Sequence, residues 1–136
     1  MPIFFFEEIK KEAFIFIINN GKIEGFMSFI KDYELHIHEK VVICDYITTI
    51  IIDSNNRNKG YTKKMYDVIL KERKDRNIAT RTWSTNLSHL HILNKLGFKL
   101  ISSSYIIGTP DLISKSRISC SEISSKCLIK AFNELL

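Results

Sequence analysis

The run Val41 to Ile52, VVICDYITTIII, constrains this chain more than any other stretch. It is too β-branched for a comfortable helix and too apolar for a strand with one wet face. A strand covered on both faces meets both conditions and would form the spine of a sheet. Upstream, Ala13 to Asn19 and Lys22 to Ile30 are apolar runs separated by Asn20-Gly21, a turn pair that tolerates positive φ, so they predict a β-hairpin. Lys31 to Lys40 is polar and charged, an edge strand or a loop.

Downstream of the spine the period changes. Asp53 to Lys59 is a turn-rich polar connection, and from Tyr61 to Asp75 the apolar positions Tyr61, Met65, Val68 and Ile69 fall at helical spacing. Asn77 to Trp83 predicts a strand, Ser88 to Leu96 a short helix closed by Gly97, and Phe98 to Ile107 another strand. The alternation implies an α/β or α+β sheet with parallel pairing at the crossover, and ligands favour the carboxyl ends of such strands. In the tail, Leu128, Ala131, Phe132 and Leu135 share one helical face, which predicts a helix within Ser121 to Leu136, with a strand from near Arg117 as the alternative.

A length of 136 residues, with 45% hydrophobic residues, 5 Gly and 2 Pro, predicts one folded domain over residues 1–136. The net charge of +5 favours anionic ligands without choosing among them. Cys44, Cys120 and Cys127 have no metal-ligand or CxxC spacing, which argues against a disulfide scaffold or a zinc ribbon and for a reducing, cytoplasmic setting. The apolar start Ile3 to Phe6 is stopped by Glu7, Glu8, Lys10 and Lys11, too short for a signal core, and no run is long enough to span a membrane. The basic residues form no stripe interleaved with aromatics, so nucleic acid is not an expected partner.

The chemistry is expected where the spine meets the first helix. In Ile50-Ile51-Ile52 followed by Asp53 to Thr62, a strand leads through a loop with Arg57, Lys59 and Gly60 into a helix start. Unpaired N–H groups and the helix dipole converge there, Gly60 allows close backbone approach, and the two cations add charge, so the loop suits a pyrophosphate. It is neither a GxxxxGK[ST] loop nor a GxGxxG fingerprint, which removes support for nucleotide hydrolysis and for dinucleotide chemistry.

The residues Arg57-Asn58-Lys59-Gly60-Tyr61-Thr62 resemble the Q/R-x-x-G-x-G/A loop of the GNAT superfamily of N-acetyltransferases. Asn86 to Phe98 is similar to that family's N-x-x-A-x-x-L-Y-x-x-x-G-F segment, matching at Asn86, Gly97 and Phe98 and in apolar Ile92 and Leu96. The resemblance runs from about Ala13 to Ile107. It implies a mostly antiparallel sheet with one parallel, splayed pair at the cofactor site, flanked by helices, with the N-terminal strand and helices abridged. It also implies acetyl-CoA as co-substrate and no metal, with Ile50, Ile51 and Ile52 offering backbone groups, Arg57, Asn58, Lys59, Gly60, Tyr61 and Thr62 holding the pyrophosphate, and Asn86 contacting the pantetheine arm.

Thr62 stands where the family has Gly or Ala, and Leu93 where it often has a Tyr acid. Tyr105, on the next strand, is the substitute acid, and Asp45, an acid in an apolar run, is the expected base. His36 and His38 lack a third ligand, His89 and His91 are read as surface residues, and Trp83 as core or channel wall. The expected activity is acetyl transfer by direct attack of a primary amine of a small molecule or peptide. The alternative is a non-catalytic acyl-CoA-binding regulator of the same fold. A tail unlike the family's last strand leaves either a divergent strand or one supplied by another subunit, and an open sheet edge makes a homodimer reasonable.

Overall fold

A computed structural model describes residues 2–37, 39–105 and 124–130. Its strands are β1 (Ile3–Ile9), β2 (Glu12–Asn19), β3 (Lys22–Ile37), β4 (Lys40–Ile52), β5 (Ile78–Trp83), β6 (Lys99–Tyr105) and β7 (Ser124–Lys130). The helices are α1 (Tyr61–Glu72) and α2 (Leu87–Lys95), with a short 3-10 turn at Ser54–Asn56. The strands form one sheet in the order β1-β2-β3-β4-β5-β7-β6. Every neighbouring pair is antiparallel except β4 and β5, which are parallel.

The hairpin forms where its turn chemistry places it: Asn20 and Gly21 take φ of 51° and 76°, matching the right-handed twist of β2 and β3. β3 runs past Ile30 as far as Ile37, so the polar stretch is strand rather than loop. An irregularity between Ile30 and Tyr33, with Asp32 at φ 52°, resets the register so that Leu35 turns inward opposite Val42 while Glu34 and His36 face solvent. The polar residues there are the wet face of a strand.

Two expectations about the ends are corrected. An N-terminal strand is present, because Ile3 to Ile9 pairs along the whole of β2 through the turn at Lys10 and Lys11, with no helix between them. Residues 124–130 form a strand, and β7 of the same chain lies between β5 and β6. Cys127, Leu128 and Ile129 are buried in succession, which a strand covered on both faces satisfies and a helix with one apolar face does not. The other residues of the predicted terminal helix lie outside those described.

Alternation along β4 divides the interior. Ile47 joins Ala13, Ile15, Ile17, Met27 and Phe29 beneath Met65, Tyr66 and Ile69 of α1 and Leu93 of α2. Val42 and Cys44 pack with Leu35, Ala79, Cys127 and Ile129 in a second cluster. Gly25 lies where β3 meets the end of β4: a Cβ there would come within 2.8 Å of the Ile51 carbonyl. No helix among the described residues is long and apolar enough to cross a membrane.

Candidate active site between β4 and β5

β4 and β5 pair only from Asp45 to Ile47 against Ile78 to Thr80. Past that point they diverge around a cavity of about 810 Å³, with Thr48 to Ile52 on one wall and Thr80 to Trp83 on the other. On its far side β4 stays paired with β3, where Ser28 faces Thr49 and Phe29 faces Ile47, so Thr48 is an extra, bulged residue. A bulge interrupts the ladder and redirects backbone groups. The splay leaves the β5-facing backbone edge of Thr48 to Ile52 without a strand partner, on the wall of the cavity.

The loop into α1 closes one end. Asp53 accepts from the Asn55 backbone at 3.4 Å and from the Asn56 side chain at 3.4 Å, fixing the turn after β4. Asn58 and Gly60 take φ of 64° and 76°. Gly60 is the N-cap of α1 without a side-chain cap, the first turn holds no acidic residue, and a Cβ on Gly60 would meet nothing within 4 Å. The result is an open cradle of backbone N–H groups at the positive end of a helix dipole, with Arg57, Asn58, Tyr61 and Thr62 around it, a surface suited to phosphate. Lys59, an expected member of this set, does not line the cavity: its ammonium donates at 2.6 Å to Oδ1 of Asn56, which does, and so braces the loop.

α2 forms the facing wall. Asn86 caps it, with Oδ1 accepting from the His89 backbone and the Ser88 hydroxyl, each at 3.3 Å, so its Nδ2 group is the part able to donate to a ligand. His89 sits half-buried between two hydroxyls: Nε2 is 2.6 Å from Tyr66 Oη and Nδ1 is 3.1 Å from Thr82 Oγ1. Burial holds its imidazole down at about 4, so it is neutral near pH 7, and burial raises the Tyr66 phenol. Sequence reading took His89 and His91 together as surface residues; His91 is exposed, whereas His89 lines the cavity. Its contact with Thr82 places it against β5, which the sequence does not signal. Trp83 is a half-exposed part of the wall.

The two expected catalytic residues are placed differently. Asp45 is fully buried outside the cavity, with Arg73 Nε 2.8 Å from Oδ2, Arg73 Nη2 3.1 Å from Oδ1, and the Asp32 backbone donating to Oδ1 at 3.2 Å. Its carboxylate is consumed by a bidentate ion pair that ties β4 to the end of α1, which is geometry for an anchor rather than a base. Tyr105 lies in β6 opposite Ser124, and its side chain is outside the described residues. Ile50, Ile51, Ile52, Arg57, Asn58, Gly60, Tyr61, Thr62 and Asn86 all line the cavity. Arg57 and Arg81 are its charged groups, and no carboxylate joins them among the described residues.

Comparison with known proteins agrees with this geometry. The sequence pattern of the Acetyltransferase (GNAT) domain matches residues 3–101. A protein of Amsacta moorei entomopoxvirus, named as a candidate glycylpeptide N-tetradecanoyltransferase, is 32% identical over 108 residues, 79% of this chain but 34% of that relative's length. Among solved structures, a candidate streptothricin acetyltransferase from Bacillus anthracis in complex with acetyl coenzyme A has a TM-score of 0.62 at 18% identity, over 90% of this chain and 64% of the other. The ribosomal-protein-S18-alanine N-acetyltransferase from Escherichia coli has a TM-score of 0.68 at 12% identity, over 95% of this chain and 76% of the other. With a pattern match over most of its length and the corresponding mixed sheet, the chain belongs to the GNAT acetyltransferase family.

Proposed function

We propose that residues 1–136 act as one acyltransferase domain that takes acetyl-CoA as co-substrate and moves the acetyl group to a primary amine of a small molecule or peptide, in the cytoplasm. One observation carries this reading: the open cradle at Gly60 and the unpaired backbone edge of β4 face one continuous cavity. A pyrophosphate at the α1 N-terminus and an extended amide arm along Thr48 to Ile52 are the two chemistries those walls accept. Bound there, acetyl-CoA supplies an activated acyl group. The backbone N–H groups released at the Thr48 bulge are the donors available to charge developing on its carbonyl oxygen, and Asn86 orients the arm from α2. No carboxylate lines the cavity among the described residues, so we assign the amine's proton to solvent in the open cleft. Tyr105 is retained as the candidate acid, tested by Tyr105→Phe.

The relative named for tetradecanoyl transfer, together with the isoleucine-rich wall of Ile47, Ile50 and Ile92, makes acyl length part of the test. Thermal shifts with acetyl-CoA, tetradecanoyl-CoA, CoA, ATP and NAD rank the donors, since a ligand at about 100 times its dissociation constant adds about 2.7 kcal/mol. Stabilisation by acetyl-CoA, followed by release of CoA thiol with a panel of amines, supports the enzyme. A shift with no CoA release from any amine supports the second reading, a non-catalytic acyl-CoA-binding regulator, which the captured Asp45 and the apolar Leu93 favour. No shift with either acyl-CoA removes both. We also propose a homodimer through the β1 side of the sheet, where Ile3 and Phe5 are exposed; sedimentation as a monomer at micromolar concentration would remove it.

A further inference from the structure

We propose that His89 is a positioning residue that locks the Thr82 hydroxyl as a hydrogen-bond donor into the cleft, toward the sulfur that departs during acyl transfer. This rests on the acyltransferase reading above. Four side chains form one directed line. Thr80 bonds the Tyr66 hydroxyl oxygen. Tyr66, fully buried, keeps its proton and is the stronger donor of the 2.6 Å contact, so its O–H points at His89 Nε2. A neutral imidazole whose Nε2 accepts carries its hydrogen on Nδ1, which donates to Thr82 Oγ1 at 3.1 Å. With that oxygen engaged as an acceptor from behind, the Thr82 hydrogen turns to the cavity, two residues past the last β4 pairing. Burial holds the imidazole neutral, which this direction requires.

Three other hydroxyls on the walls are committed elsewhere, and Thr62 lies at the α1 cradle rather than at the splay. Tyr61 donates to Glu24 at 3.1 Å, Thr48 to the Ser28 carbonyl at 3.2 Å, and Ser88 to Asn86 at 3.3 Å. Leu93 is sealed in the core. Thr82 thus stands at the splay with a donor fixed outward. As the C–N bond forms and the C–S bond breaks, the electron pair leaves on sulfur. Thr82 stabilises that charge with a hydrogen bond and keeps its own proton. Water takes the proton released by the amine, and the thiolate takes one from the candidate acid of the proposed function.

The test uses Thr82→Val, Thr82→Ser, His89→Ala, the Thr82→Val/His89→Ala double variant and Tyr66→Phe, assayed with acetyl-CoA and the amine that turns over best in the panel. Imidazole 15N NMR is recorded on the protein alone. Thr82→Val and His89→Ala should each lower kcat about 100-fold with KM for acetyl-CoA unchanged, the double variant should be no worse than either, and Thr82→Ser should keep most of the rate. The spectrum should show Nδ1 protonated and Nε2 bare, with Tyr66→Phe shifting the balance between tautomers. Wild-type kcat in Thr82→Val or His89→Ala, additive losses, or the reverse tautomer would overturn the inference. If His89→Ala does not fold, Thr82→Val and the tautomer carry the test. A protein that binds acetyl-CoA and never releases CoA overturns this inference while leaving the binding reading in place; one that binds no acyl-CoA removes both.

Discussion

Asp45 shows how a residue type can be legible while its role is not. An acid inside VVICDYITT must be partnered, and that much follows from the cost of burying charge. Its partner, Arg73, lies 28 residues away at the end of α1, and local spacing does not reveal such a pair. Removing one member of a buried pair strands the other, so Arg73→Ala should cost about 3–5 kcal/mol, read from denaturant unfolding. Asp45→Asn should lower stability while leaving the kcat of the folded fraction near wild type; a selective loss of kcat would return Asp45 to the base role. A histidine on a short helix carries no sign of the tyrosine that meets it from α1, so sequence alone does not single out His89. Its depressed pKa has a definite sign in stability. The unfolded imidazole titrates near 6.5 and the folded one near 4, so between these values the unfolded state binds the extra proton. Stability should therefore fall as pH drops from about 6.5 to 4, by at most about 3 kcal/mol, and His89→Gln should flatten that stretch of the profile.

Among the elements, the loop from β4 to α1 was the most legible, because turn residues, a glycine and a helical period follow one another there, although its reading as an anion site drew on the second motif at Asn86 to Phe98 as well. Arg57→Ala should weaken acetyl-CoA binding about tenfold in calorimetry, roughly 1.5 kcal/mol, through loss of a charged donor. Gly60→Ala combines a left-handed φ of 76° with a Cβ in the cradle. It should lower stability by about 1–2 kcal/mol and affinity besides, and unchanged affinity would show that the cradle is not the phosphate site. β3 beyond Ile30 was harder to read, since a bulge at Asp32 moves its polar residues onto the wet face without altering composition. The strand identity of residues 124–130 was hidden because sequence alone supplies neither β5 nor β6 as neighbours, and without them SSKCLIK has no strong period.

At the scale of the molecule, the +5 charge chose no ligand by itself; Arg57 lines the cavity beside the Gly60 cradle, while the Arg81 guanidinium is bonded to Tyr46. Acyl-CoA affinity should thus fall as ionic strength rises, and a salt-independent dissociation constant in calorimetry would place the phosphates elsewhere. The parallel pair could be read from the crossover, but not the strand order, which joins distant stretches of chain. β5 ends at Trp83, its neighbour β7 begins at Ser124, and β6 reaches the sheet only through β7. During synthesis, one wall of the cleft must therefore wait for a strand made some forty residues later, while β1 to β4 can already zip together as consecutive hairpins.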